Sequence, residues 1–196
     1  METLLPLLGF VLVSTFTPGP NNLMVLTSGA NYGLARTLPH IAGICLGFPV
    51  MIVAVGLGLG YVFDAYPIAH VVLQWLAFAY MLWLAWRIVQ AGRPAAEKAD
   101  AKPLTLLEAA LFQPLNPKAW AIVFGATALY TTTGGNKVLE IGLIAVLFGA
   151  ICLPNGVVWA LFGRAIAGFL QDDRRRFWFN LVMAVLLVLS VLPAMF

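Results

Sequence analysis

Thr17-Pro18-Gly19-Pro20-Asn21-Asn22 interrupts an otherwise apolar stretch, and its reading decides the fold of this chain. A second run of the same kind, Gln113-Pro114-Leu115-Asn116-Pro117-Lys118, stands near the start of the second half. Each follows a phenylalanine, Phe16 or Phe112. Proline lacks a backbone donor and clashes with the preceding helical turn, so each run is expected to break a helix. In a membrane the freed backbone groups need partners in protein or in cavity water. Breaks at corresponding positions of two halves are the best sequence pointer to a transporter's binding site.

Composition places the breaks in a membrane. Of 196 residues, 62% are hydrophobic and 10% charged, with a mean hydropathy of +0.94. That leaves too little polar surface for a water-soluble helical domain. The charges cluster, leaving apolar stretches of about 20 residues, the length that crosses the hydrocarbon core. The expected class is an all-α integral membrane protein, one transmembrane domain over residues 1–196. Glu2 stands where a signal peptide would be positive, and no small-residue cleavage site precedes Pro18, so the first apolar run reads as a retained helix. The pI near 9.1 does not point to nucleic acid, because the positive charges fall between apolar spans, as topology signals do. Cys45 and Cys152 each sit within Ile-Cys-Leu in apolar runs and read as small packing residues, not a disulfide framework.

Six spans are expected, at about 4–28, 37–60, 68–90, 104–130, 138–163 and 178–192. The first and fourth carry the breaks, and residues 104–112 read as a short half-helix. The polar stretch 91–102 reads as a linker, and Thr131-Thr132-Thr133-Gly134-Gly135-Asn136 as a turn. Arg36, the group Arg87, Arg93, Lys98 and Lys102, and the group Arg164, Arg174, Arg175 and Arg176 fall on one side; Lys137 is alone on the other. The basic side should be cytoplasmic, with both termini outside. The run at 174–176 reads as an orientation signal, with binding to anionic lipid as the alternative.

Three spans on each side of a cytoplasmic linker make the halves enter the membrane in opposite directions. The expectation is an inverted repeat: about 1–91, a linker at about 92–103, and about 104–196. Phe16-Thr17-Pro18 parallels Phe112-Gln113-Pro114. Gly43-Ile44-Cys45-Leu46 before Pro49 parallels Ala150-Ile151-Cys152-Leu153 before Pro154.

A helix restarting after Pro20 presents free N–H groups and partial positive charge, which attract a carboxylate. The unwound carbonyls before it attract a cation such as an ammonium. Thr17, Pro18, Gly19, Pro20, Asn21, Asn22, Gln113, Asn116, Pro117 and Lys118 are therefore candidate substrate-binding residues, with capping as the alternative role of the asparagines. Lys118 is the single charge in an apolar stretch; it binds a substrate carboxylate, couples protons, or snorkels to the cytoplasmic face. Asn155, after Pro154, joins the candidates at what resembles the break of a kinked helix. Asn180 reads as a cap or as interhelical glue. Tyr80, Trp83 and Trp86 read as lipid-facing or belt aromatics, or as a cavity wall. Gly43-x-x-x-Gly47 and Gly56-x-x-x-Gly60 give the second span a face for close packing, with partners available inside the bundle.

No His or Cys pair has metal-ligand spacing, and neither a Gly-x-Ser-x-Gly nor a phosphate-binding loop is present, so no cofactor and no metal are expected. A gradient-driven carrier is favoured over a membrane-embedded enzyme, which lacks a positioned base, and over a passive channel, which needs a continuous polar pore.

These residues resemble the LysE family of amino-acid exporters, including its homoserine/threonine branch. The resemblance covers essentially the whole chain. It is carried by segments 17–22 and 116–118, by Tyr32-Gly33-Leu34-Ala35-Arg36-Thr37 with Gly43 and Gly47, and by Tyr80-Met81-Leu82-Trp83-Leu84-Ala85-Trp86. Where the family more often has glycine, this chain has Ala85. The loop and linker patterns look closest to the exporters of cysteine and O-acetylserine. The resemblance implies a bacterial inner-membrane exporter of amino acids or close derivatives, coupled to protons, with membrane lipid around it and homo-oligomerisation left open. Asp64, Glu108 and Glu140 all fall near span ends, so none stands out as the proton carrier.

Overall fold

The structure is a computed structural model describing residues 4–59, 65–91, 102–132 and 136–192. The linker at 92–101, the turn residues 133–135, Gly60 and Asp64 lie outside the described residues. Every regular element among the described residues is helical.

The first break behaves as its residues require. Helix α1, Leu4–Phe16, and helix α2, Pro20–Tyr32, meet at a bend of 53°. Gly19 is extended between them, and Pro20 starts α2 where its missing N–H costs nothing. Helix α2 runs past the expected end at 28, because the Ser28 hydroxyl pairs with Thr37 at 2.8 Å and does not stop the helix. It ends at Gly33, whose φ of 78° suits glycine, the N–H closing on the Gly29 carbonyl at 3.0 Å.

Helix α3, Leu34–Ala54, absorbs Pro39 and Pro49 and widens over Val55–Leu59. Helix α4 spans Pro67–Ala91. Helix α5, Leu106–Phe112, opens with a reciprocal box: the Thr105 N–H donates to the Glu108 carboxylate at 2.7 Å, and the Glu108 N–H donates back to the Thr105 hydroxyl at 3.2 Å. A tight turn, Gln113–Leu115, leads to extended Asn116 and helix α6, Pro117–Tyr130. Helix α7, Lys137–Ala167, is 31 residues long and carries Pro154 inside it, so the break expected at Asn155 is absent. Helix α8, Asp173–Leu189, starts earlier than expected. Asp172 caps it by accepting the Arg175 N–H at 2.9 Å, and Arg174, Arg175 and Arg176 sit in its first turns instead of a loop.

Leu34–Leu59, Val71–Ala91 and Lys137–Ala167 are each long and apolar enough to cross a membrane, and the bent pair α1–α2 makes up to four spans. The 14 residues of α6 and the 17 of α8 are short for a crossing alone. The exterior suits lipid. Leu5, Val13, Val50 and Trp75 are more than 60% exposed, as they would not be in a water-soluble domain.

Helix α7 is the centre of the bundle, with α2 and α3 packed along it; α5 lies on α3, and α4 pairs with α8. Small residues allow the closest approaches. A Cβ at Gly29 would meet the Ala160 backbone, and one at Gly163 would meet the backbone of Leu26 and Ala30. Gly43 and Gly47 face Leu106, Ala109 and Ala110 of α5, so this glycine face packs within the chain. Asn31 and Asn180 exchange amide hydrogen bonds of 2.8 and 3.1 Å between α2 and α8, the interhelical role expected of Asn180.

Candidate functional site

The two breaks, about a hundred residues apart in the chain, meet at one cleft of about 520 Å³ including its open mouth. Gly19, Asn21, Asn22, Asn116, Lys118 and Asn155 line it, so six of the residues singled out from the sequence share one surface. Three more stand just behind or beside it. Thr17 contributes its backbone carbonyl, exposed Pro18 a weaker one, and buried Gln113 its side chain. Pro20 and Pro117 shape the helix starts without lining the cleft.

Lys118 bridges the breaks. Its Nζ donates to the Thr17 carbonyl at 2.5 Å, with the Pro18 carbonyl at 3.4 Å. The unwound carbonyls expected to take a substrate ammonium are therefore held by the protein's own cation. The described ion pairs are Arg87–Glu108 at 3.2 Å and Arg176–Asp173 at 3.1 Å, neither of which involves Lys118. Among the described residues carbonyl dipoles alone counter its charge, which leaves it able to attract an anion.

Around this contact the amides form two separate sets of hydrogen bonds. Asn21 Nδ2 donates to Gln113 Oε1 at 2.9 Å, and Gln113 Nε2 donates to the Ala109 carbonyl at 2.8 Å. Asn22 Nδ2 donates to the carbonyls of Thr15 and Thr17 at 2.8 and 2.9 Å, tying the unwound segment together. Asn155 Nδ2 donates to Asn22 Oδ1 at 3.0 Å and joins α7 to the first break.

The helix ends at the breaks differ. Asn116 caps α6, its Oδ1 accepting the Lys118 N–H at 3.1 Å. Helix α2 has no side-chain cap at Gly19, and Pro20 has no N–H to offer. Its first-turn donors at Asn21 and Asn22 thus lack a capping partner beside the cleft, which suits an anion.

Several lining residues were missed from sequence. Ser14 and Thr15 precede the first break as a polar pair in an apolar helix, a signal that was legible. Phe48, Phe148, Ile44, Ile122 and Cys152 form the apolar wall, with the two phenylalanine rings 5.1 Å apart. Nothing local separates them from other apolar residues in spans. Tyr80 packs on Phe112, ring centroids 5.9 Å apart, and Trp83 lies under the Arg87 guanidinium at 4.8 Å, so neither lines the cleft. Among the described residues no group of His, Cys, Asp or Glu is placed to hold a metal.

A profile of the LysE type translocator family matches residues 12–192. Proteins named cysteine/O-acetylserine efflux protein from Salmonella paratyphi A and Salmonella typhi are 33% identical over 186 residues, covering 91% of this chain and 90% of the relative. The protein of that name from Escherichia coli K12 is 33% identical over 187 residues, with the same coverage. No solved structure matches the chain.

Proposed function

Because the chain belongs to the LysE type translocator family, we propose that it is a secondary exporter moving amino acids or close derivatives from the cytoplasm outward in exchange for protons. The contact that supports this reading most is Lys118 on the Thr17 carbonyl, which ties both helix breaks to one cleft. The cleft is mixed in the way a small zwitterion needs. Lys118 and the uncapped start of α2 favour a carboxylate, while Phe48, Phe148 and Cys152 accept a short side chain. Cysteine and O-acetylserine, the cargo in the relatives' name, fit this description.

In this reading the protein is a multi-pass component of the bacterial inner membrane, six spans arranged as two inverted three-helix repeats. The broken pairs α1–α2 and α5–α6 are spans one and four, and α8 is the sixth. Packing of α3 on α7 and of α4 on α8 supports it, since each joins an element to its counterpart, as a pseudo-two-fold would. Both termini then face outward, and the two halves rock about the cleft. Thr17 to Asn22, Gln113, Asn116, Pro117, Lys118 and Asn155 constitute the site.

Counterflow in proteoliposomes tests the function. Preloaded unlabelled L-cysteine or O-acetyl-L-serine should accelerate entry of the labelled compound, as only a carrier does. Entry indifferent to preloading would replace the carrier with a channel, and no entry would remove amino-acid transport. An imposed pH gradient should drive accumulation; without that, proton coupling fails alone.

A further inference from the structure

Two buried polar atoms in the wall of the cleft have no partner: Thr15 Oγ1 and Asn155 Oδ1. The orientation of Asn155 follows from its neighbours. Asn22 Nδ2 faces the carbonyls of Thr15 and Thr17, which only accept, so Asn22 turns its oxygen toward Asn155. Asn155 must answer with its Nδ2, at 3.0 Å, and its Oδ1 is left over as a bare acceptor. Thr15 breaks a local habit. Ser14, Thr17, Thr27 and Thr127 all donate their hydroxyls to a carbonyl one turn back, and Thr15 does not. A buried polar atom without a partner carries its full desolvation cost; Asn155 Oδ1 can only accept and Thr15 Oγ1 can accept as well as donate, so one donor group can answer both.

We propose that Thr15 Oγ1 and Asn155 Oδ1 form an ammonium subsite, which takes the primary α-ammonium of the cargo while Lys118 and the start of α2 take its carboxylate. This rests on the export reading above. An ammonium fits because it brings three donors and no acceptor to two accepting oxygens. The competing acceptors at the break, the carbonyls of Thr17 and Pro18, are engaged by Lys118. Both atoms are buried in this state, so the cargo reaches them as the halves rock apart. The subsite selects amino acids over acids of the same length that lack the amine, which leave both oxygens unpaired, and over hydroxy acids, whose single O–H can pair only one.

The test uses purified protein in proteoliposomes, with reduced radiolabelled L-cysteine as cargo and 3-mercaptopropionate, which lacks only the amine, as competitor. Thr15→Val keeps the shape and removes an unpartnered hydroxyl, so the fold survives; Thr15→Ser keeps the hydroxyl. In Thr15→Val the KM for L-cysteine should rise about tenfold, the loss of one hydrogen bond to a charged group, while inhibition by 3-mercaptopropionate stays within about twofold. Thr15→Ser should stay near wild type. An unchanged KM for L-cysteine in Thr15→Val overturns the subsite, and equal weakening of cargo and competitor reduces Thr15 to a packing role. If the wild type itself shows no counterflow of L-cysteine, the export reading has failed and takes the subsite with it.

Discussion

Lys118 reaches across the bundle to the Thr17 carbonyl, so the first helical turn after one break holds the open backbone of the other. A single side chain thereby links the two halves and places its positive charge at the cleft. Lys118→Ala should abolish efflux while leaving membrane insertion intact, because the Thr17 carbonyl keeps its hydrogen bond from Asn22 Nδ2 at 2.9 Å. Radiolabel export from cells, with the protein level checked in isolated membranes, measures this. Efflux at the wild-type rate would remove Lys118 from the mechanism.

Gly19 is extended, a conformation open to any residue, yet a Cβ there would press against the Lys118 side chain. Gly19→Ala should displace the ammonium from the carbonyls without unfolding the protein, since the flexible lysine gives way. The expected result is a loss of efflux of about tenfold or more with a melting temperature close to wild type. A normal rate would mean that the Lys118 contact is dispensable.

The Asn31–Asn180 pair joins α2 to α8 by two amide hydrogen bonds in a fully buried position at Asn180. Asn180→Leu alone should destabilise the protein by about 1 kcal/mol, the range of interhelical hydrogen bonds in membranes. Adding Asn31→Leu should recover part of that, as both partners become apolar. Thermal unfolding in detergent reads both variants; additive losses would show that the residues are not coupled.

Gly163 abuts the backbone of Leu26 and Ala30, where neither chain can yield by a rotamer change. Gly163→Ala should force α2 away from α7 and lower stability by about 1–3 kcal/mol. Gly142, with open space around it, is the control, and Gly142→Ala should leave the melting temperature unchanged.

Cys152 lines the cleft and Cys45 is only partly buried. In a Cys45→Ser background a small maleimide should modify Cys152 slowly, and O-acetyl-L-serine, which has no thiol, should protect it. Labelling indifferent to O-acetyl-L-serine would place the cargo elsewhere.

The helix breaks were legible because each run carries two prolines within four residues, which removes two N–H groups from about one turn. The same local reasoning overestimated Pro154, which α7 absorbs as α3 absorbs Pro39 and Pro49. Whether a single proline ends a membrane helix depends on neighbours that hold the helix together, and those are tertiary. The charge of the arginines at 174–176 points to a loop, but Asp172 caps a helix that includes them.

The amino-acid sequence by itself determined a membrane-embedded helical chain, the positions of its two breaks, the residues gathered there and the family, because hydropathy and proline chemistry are written residue by residue. Only the tertiary structure decided which groups remain available at the cleft. It gave the unwound carbonyls to Lys118, capped α6 with Asn116 while leaving α2 uncapped, and left Thr15 and Asn155 with unpaired oxygens. Hydrogen-bond partners more than ninety residues apart are set by how the helices pack, and packing determines which polar atoms are spent inside the protein and which are left for a ligand.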